Sequence, residues 1–303
     1  MKRRLTFGNR IFDIVLYICL LVLVVLTLYP FINSVAISLN DSNDTARGGI
    51  TMFPRVPTLR NYELIFENKK IYTAYLITIA RTGVGTVLGL IMTAMIGFGM
   101  AHRNLKGYKF YTMICIITMY FGGGLIPYYF LIKYLGLTDS FLVYIIPNLV
   151  GVFNLILMRT YFLGISPALE ESARIDGANY FRVFISIILP ISKPILATVA
   201  LFIGVFQWNS WFDCYLFINK HQELKPMQNI LLSIIAEAQF MERLANSATG
   251  SSFSAANMAH NVKVNVRSIT MATMIVTVIP IIMAYPFLQR YFIKGIMIGS
   301  LKG

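Results

Sequence analysis

Charge is scarce in this chain: Asp, Glu, Lys and Arg together make up 13% of its 303 residues. A soluble domain carries about twice that share, so the deficit excludes an ordinary water-facing globule. Acidic residues are the scarcer kind, 13 against 26 Lys and Arg, which leaves a net charge of +13. In a soluble protein such an excess would suggest nucleic acid. Here the basic residues are denser in the short polar joints between apolar runs, as the positive-inside pattern requires, and no nucleic-acid partner is expected. Cys19, Cys115 and Cys214 lie in or beside apolar runs at spacings that fit neither a disulfide framework nor a metal site. His102, His221 and His260 are equally dispersed and form no ligand cluster. The phosphate-cradling pattern GxxxxGK[ST] is absent, so this chain is not expected to hydrolyse ATP. Gly83-Val84-Gly85 and Gly97-Phe98-Gly99 do not extend to GxGxxG and suit close helix packing better than a dinucleotide. A membrane enzyme would need His, Asp, Glu, Ser or Lys converging at one face; none can be assembled, and no catalytic residue is assigned.

What the chain has in abundance is apolar length. Hydrophobic residues make up 57% of it and the mean hydropathy is +0.68, with runs long enough to cross a bilayer recurring throughout. The spacing predicts an all-α membrane protein with six spans, near residues 12–38, 71–100, 110–131, 141–162, 194–212 and 269–289. Both termini are then cytoplasmic. The basic start Met1-Lys2-Arg3-Arg4 imitates a signal peptide, but the run behind it is too long and lacks a small-x-small site, so it is read as a retained span. Gly122-Gly123-Gly124 and Pro127 interrupt the third run. A polar outer segment, residues 213–268, separates the last two. The whole chain, 1–303, reads as one domain with its core over 71–290.

Between the fourth and fifth runs lies the one charged, glycine-punctuated insertion, residues 163–193. It contains Glu170-Glu171-Ser172-Ala173-Arg174-Ile175-Asp176-Gly177-Ala178, then Leu189-Pro190 and Pro194. Residues 168–178 favour one short helix, Gly177 turns the chain, and 180–188 can form a second. An acidic pair, small side chains and an apolar return suit a docking surface held at a membrane face. A carboxylate at Glu171 could meet a basic group, a directional, charge-assisted contact.

This loop resembles the EAA loop of the permeases of bacterial ABC importers, with Ser172 in place of the usual first Ala and Gly177 as the motif glycine. Trp208-Asn209-x-Trp211-Phe212 and the tail from Lys294 to Gly303 extend the resemblance over nearly the whole chain, towards the permeases for carbohydrates, especially complex oligosaccharides. The resemblance implies a six-span type I transmembrane domain that forms half of a sugar pathway. It implies a second homologous permease, two ATPase subunits that bind ATP and Mg, and an extracytoplasmic substrate-binding protein. By the same resemblance Glu170, Glu171, Ser172, Ala173, Asp176, Gly177 and Ala178 engage the ATPase, and Gly299, Ser300, Lys302 and Gly303 reach it from the tail.

Polar groups within a span usually face a cavity or another helix. Gln207 and Asn209, with the indoles of Trp208 and Trp211, are therefore candidates for the pathway. Trp211 also suits an interfacial aromatic belt. Arg81 could line a cavity or snorkel outward to the interface. A secondary transporter would need paired ionisable groups within its spans; apart from Arg81 and the terminal Asp13 and Asp213, few stand there.

Overall fold

The computed structural model describes residues 7–67, 69–102, 105–247, 267–283 and 285–286. Among the described residues the chain is helical, with turns and a single isolated antiparallel bridge between Asn40 and Pro57. It divides into two compact units, residues 1–69 with 231–278, and residues 70–230 with 279–303.

In the first unit, α1 (Phe7–Ser38) has 32 residues, about 48 Å at 1.5 Å per residue, against a hydrocarbon core of about 30 Å. Apolar side chains stand exposed around it from Ile11 to Phe31, as a helix solvated by lipid requires. Burial begins only at its end, with Ala36, Ile37 and Ser38. There the chain folds back through α2 (Ser42–Ala46) and α3 (Arg60–Glu67) around a hydrogen-bonded knot. Asn40 donates to Asp44 Oδ2 and Thr45 Oγ1 and accepts from the Val56 amide at 2.8 Å, while Asn61 Nδ2 bonds the Ser38 and Asn40 carbonyls. The Asn40 bond, then Arg55, holds the Asp44 carboxyl below its ordinary range. These side chains satisfy the backbone groups that the end of α1 leaves unpaired.

The second unit is organised on α4 (Lys69–Ala101), 33 residues long. One face of α4 is small: Gly85, Gly89, Ala94 and Gly97 are buried with Thr93. A Cβ on Gly89 would stand 3.3 Å from the Leu149 carbonyl, and one on Gly97 3.2 Å from Met158 Cγ. This is the close approach of helices that small residues permit in lipid.

The next three runs are broken. α5 (Tyr108–Tyr120) and α6 (Leu125–Tyr134) meet at 115° across Gly122-Gly123-Gly124, so residues 110–131 turn back on themselves instead of forming one rod. Residues 141–148 form two 3₁₀ turns that lead, through Pro147 and Gly151, into α7 (Val152–Leu163) at 45°. α11 (Lys193–Asn209) follows a helical segment over residues 180–191 at 85°. The next two helices, α12 (Phe212–Phe217) and α13 (Met227–Ser247), lie in the stretch expected to be a polar loop, and α14 (Arg267–Met283) follows where the last span is expected. Among the described residues, by length and composition, two helices can cross a membrane alone, and up to five spans form if each bent pair counts as one. The expected sixth, 269–289, begins in α14 and runs partly outside the described residues.

Candidate functional site

The glycine-punctuated loop folds as two helical pieces. α8 (Pro167–Ile175) starts with Pro167, whose missing N–H costs nothing in a first turn, and places Glu170 in that turn. It ends in a Schellman turn. The Ala178 amide bonds the Ala173 carbonyl at 2.9 Å and the Gly177 amide bonds that of Arg174 at 3.0 Å, with Gly177 at φ +82°. That left-handed φ is what a side chain resists and glycine accepts. Asn179 then caps α9 (Tyr180–Val183), accepting the Arg182 amide at 2.8 Å.

The helix widens into a π turn at residues 184–188 and closes with α10 (Leu189–Ile191). Pro190 cannot donate an amide and Pro194 opens α11, so the Leu-Pro…Pro pattern makes the 85° corner. Val183, Phe184 and Ile188 anchor the loop in a core with Ala94 of α4, Met158 and Phe162 of α7, and Ile195, Val199 and Ile203 of α11.

Outward, the loop offers Glu171, Ser172, Arg174, Ile175 and Asp176, with Gly177 open on its surface. Arg174 lays its guanidinium 4.7 Å from the Tyr180 ring centre. The small residues do not form one outward face: Ala173 and Ala178 are half-buried against the core, because the Schellman turn brings their two positions together. The apolar residues of the second piece also divide, with Phe184 and Ile188 buried and Phe181 61% exposed. Glu170 is half-buried and meets His102 at the end of α4, carboxylate to Nε2 at 2.9 Å. The Arg159 Nε donates to the Met100 carbonyl at 3.1 Å, tying α7 to the same end of α4. A cavity of about 370 Å³ opens here, lined by His102, Ser166, Glu170, Glu171, Arg174 and Tyr180 among others.

The polar residues expected along a pathway separate into two groups. Arg81 has no exposed surface and neither has Gln207. Arg81 donates from Nε and Nη2 to Gln207 Oε1 at 3.3 and 3.1 Å and from Nη1 to the Ser210 carbonyl at 2.9 Å. It also lies 3.7 Å from Asp213 Oδ2 and 4.2 Å from the Tyr144 ring centre. Gln207 completes the set by donating to the Tyr144 carbonyl at 3.2 Å. Asp213 accepts from Ser210 Oγ and Asn148 Nδ2.

This network clasps α4 to the joint between α11 and α12, and in this structure it takes up Arg81 and Gln207, both expected along a pathway. Their polarity is consumed by one another, so neither a cavity face nor snorkelling is needed. Trp208 is buried too, edge-on to Tyr75 at 5.9 Å. Asn209 and Trp211 remain exposed; Asn209 accepts from Gln228 at 3.1 Å, and Trp211 meets Phe212 and Tyr215 edge-on. The tail residues Gly299, Ser300, Lys302 and Gly303 lie outside the described residues. The pairings of His102, Arg159 and Asp213 have no signal in the sequence, since each meets its partner only through the fold.

Comparison with known proteins agrees along the full length. The chain is 32% identical over 296 residues, 97% of itself and 99% of the relative, to the polygalacturonan/rhamnogalacturonan transport system permease protein YtcP of Bacillus subtilis (strain 168). It is 33% identical over 298 residues to Protein LplC of the same organism, covering 98% of this chain and 97% of that one. No family model matches it. Among solved structures, a chain from the crystal structure of a bacterial ABC transporter that imports the acidic polysaccharide alginate superposes with a TM-score of 0.83 at 28% identity, over 95% of this chain and 98% of that one.

Proposed function

The chain belongs to the permease subunits of sugar ABC importers, and on that premise we propose that loop 163–193 is where it receives the work of a separate ATPase. The carrying observation is mechanical. The α8–Gly177–α9 unit shows acidic side chains outward, while Val183, Phe184 and Ile188 root it in a core shared with α4, α7 and α11. A force on that surface reaches three long elements at once. Glu171 and Asp176 are the carboxylates free to meet basic groups.

In this reading two ATPase subunits bind ATP and Mg, one of them against this loop, and the unit moves with them as the ATPase dimer closes. ATP then acts through its different affinity for two transporter states. A second homologous permease encloses the pathway with this chain, and an extracytoplasmic binding protein delivers the sugar. Both termini lie on the loop's side, the cytoplasm, and Gly299, Ser300, Lys302 and Gly303 reach the ATPase there. Ser172, Ala173 and Ala178 let the turn stay compact at the contact. Asn209 and Trp211 are the residues of this chain proposed for the pathway, since an amide and an exposed indole can serve hydroxyls and a ring face. The substrate is an oligosaccharide. Oligogalacturonides and alginate oligomers are the first to test, since relatives are named for such polymers.

The test is uptake by cells carrying Glu171→Lys. Uptake should be lost while the chain is retained in the membrane at normal amount. Undiminished uptake would remove the loop from the mechanism.

A further inference from the structure

The end of α4 meets the start of α8 through a single imidazole. His102 Nδ1 lies 3.0 Å from the Phe98 carbonyl, and Nε2 lies 2.9 Å from Glu170 Oε1. A backbone carbonyl only accepts, so Nδ1 carries a hydrogen. Neutral His102 would then turn the Nε2 lone pair on a carboxylate, two acceptors facing each other. The contact needs one more proton, which makes either an imidazolium that donates to both oxygens or a carboxyl that donates to Nε2.

The helices favour the first arrangement. Phe98 lies in the last turn of α4, where a cation is favoured, and Glu170 lies in the first turn of α8, where an anion is. The ring is also held in place, edge-on to Phe98 at 4.7 Å and to Tyr180 at 5.2 Å. Among the described residues, the ionisable groups around it are Glu170, Glu171 and Arg174 from α8, Tyr180 from α9, and Arg159 from α7, which bonds the Met100 carbonyl.

We infer that His102 is a positioning residue whose added proton latches the loop helix α8 to the end of α4, so that the loop's coupling to its ATPase weakens as the pH at that face rises. The inference rests on the coupling role proposed above for loop 163–193. Protonated, His102 donates to Glu170 and fixes the first turn of α8. Deprotonated, it keeps only the Phe98 bond, and α8 is left with its anchor in the apolar core.

Two variants separate this from a merely structural contact. Glu170→Gln can accept from the protonated ring and donate to the neutral one, so it keeps the bond at every pH. His102→Ala removes the bond at every pH. The measurement is hydrogen–deuterium exchange of residues 167–178 in the full chain within its purified complex. Rates are taken at about pH 6 and about pH 8.5, the lower favouring the added proton and the higher its loss, and corrected for intrinsic exchange.

Protection of α8 in the unaltered chain should fall roughly tenfold at the higher pH, the scale of a charge-assisted hydrogen bond. It should be pH-independent in Glu170→Gln, and low at both pH values in His102→Ala. ATP hydrolysis by the same complexes should fall with rising pH in the unaltered chain more steeply than in Glu170→Gln. Equal protection at both pH values in the unaltered chain, or an unchanged pH dependence in Glu170→Gln, would overturn the latch. Parallel ATPase profiles would overturn its positioning role. The exchange readout needs no ATPase, so its failure counts against the latch, whereas a complex without an ATPase counts against the permease reading.

Discussion

Replacing Arg81 by Met tests how much of the membrane core depends on one buried clasp. The substitution removes two donations to Gln207 and one to the Ser210 carbonyl, the ion pair with Asp213, and the face contact with Tyr144. Removing one partner of a buried ion pair costs about 3–5 kcal/mol, because the remaining charge is stranded. Asp213 keeps its bonds from Ser210 and Asn148, and its side chain is 12% exposed, which places the loss near the lower end, about 3 kcal/mol. At about 2 °C per kcal/mol for a chain of this size, the thermal midpoint of the purified protein in detergent should fall by roughly 6 °C.

The double variant Arg81→Met, Asp213→Leu removes both charges, and apolar replacement of a buried pair is often neutral. It should therefore recover more than half of the loss, a clear non-additivity for residues in one network. Scanning fluorimetry of the unaltered protein, both single variants and the double variant reads all four corners of the cycle. A shift below about 1 °C for Arg81→Met, or a double variant equal to the sum of the singles, would refute the clasp.

Three further outcomes are expected. Gly177→Asp puts a side chain at φ +82° in the Schellman turn, at a cost of about 1–2 kcal/mol, and adds a like charge beside Asp176. Uptake should fall to background with the chain still in the membrane, and membrane quantification beside uptake checks both. Gly85→Ala would bring a Cβ within 2.7 Å of Gln207 Nε2 and displace it from Arg81 and Tyr144. The expected loss is about 1–3 kcal/mol, visible as a lower thermal midpoint. Asp139 accepts the Asn219 and Lys220 amides at 2.7 Å each, and these bonds hold its carboxyl below the ordinary 3.8. Its contribution is therefore complete above pH 3.8 and is lost as the pH falls through the lower folded value. Asp139→Ala should lower stability at neutral pH and make acid unfolding shallower below that point, as followed by fluorescence.

The sequence made some of this legible and hid the rest for physical reasons. The apolar runs announced α1 and α4, since length and hydropathy alone decide whether a helix suits lipid. The α8–Gly177–α9 turn was readable because its cause is local: a Schellman turn needs glycine at one position, and the residues bonded across it lie within five of each other. The turn-back at Gly122-Gly123-Gly124 was marked only as an interruption, because glycines permit a 115° bend without prescribing it. The helices α12 and α13 were missed, since mixed polarity in residues 213–247 resembles a loop when no packing partner is visible. The pairing of Arg81 with Gln207 was hidden for the same reason at longer range. The two residues are 126 apart in sequence, and a polar side chain satisfied by another helix has the same sequence signature as one that faces a cavity. His102 gave no signal at all, as Glu170 lies 68 residues downstream.

The most direct test of the central claim is purification of the tagged chain from its native membrane in mild detergent, with mass spectrometry of what accompanies it, for the unaltered chain and Glu171→Lys side by side. The unaltered chain should bring down an ATPase with phosphate-binding motifs and a second permease, and Glu171→Lys should keep the permease and lose the ATPase. Recovery of the unaltered chain alone, in a preparation where other membrane complexes survive, would contradict the coupling of this loop to a separate ATPase.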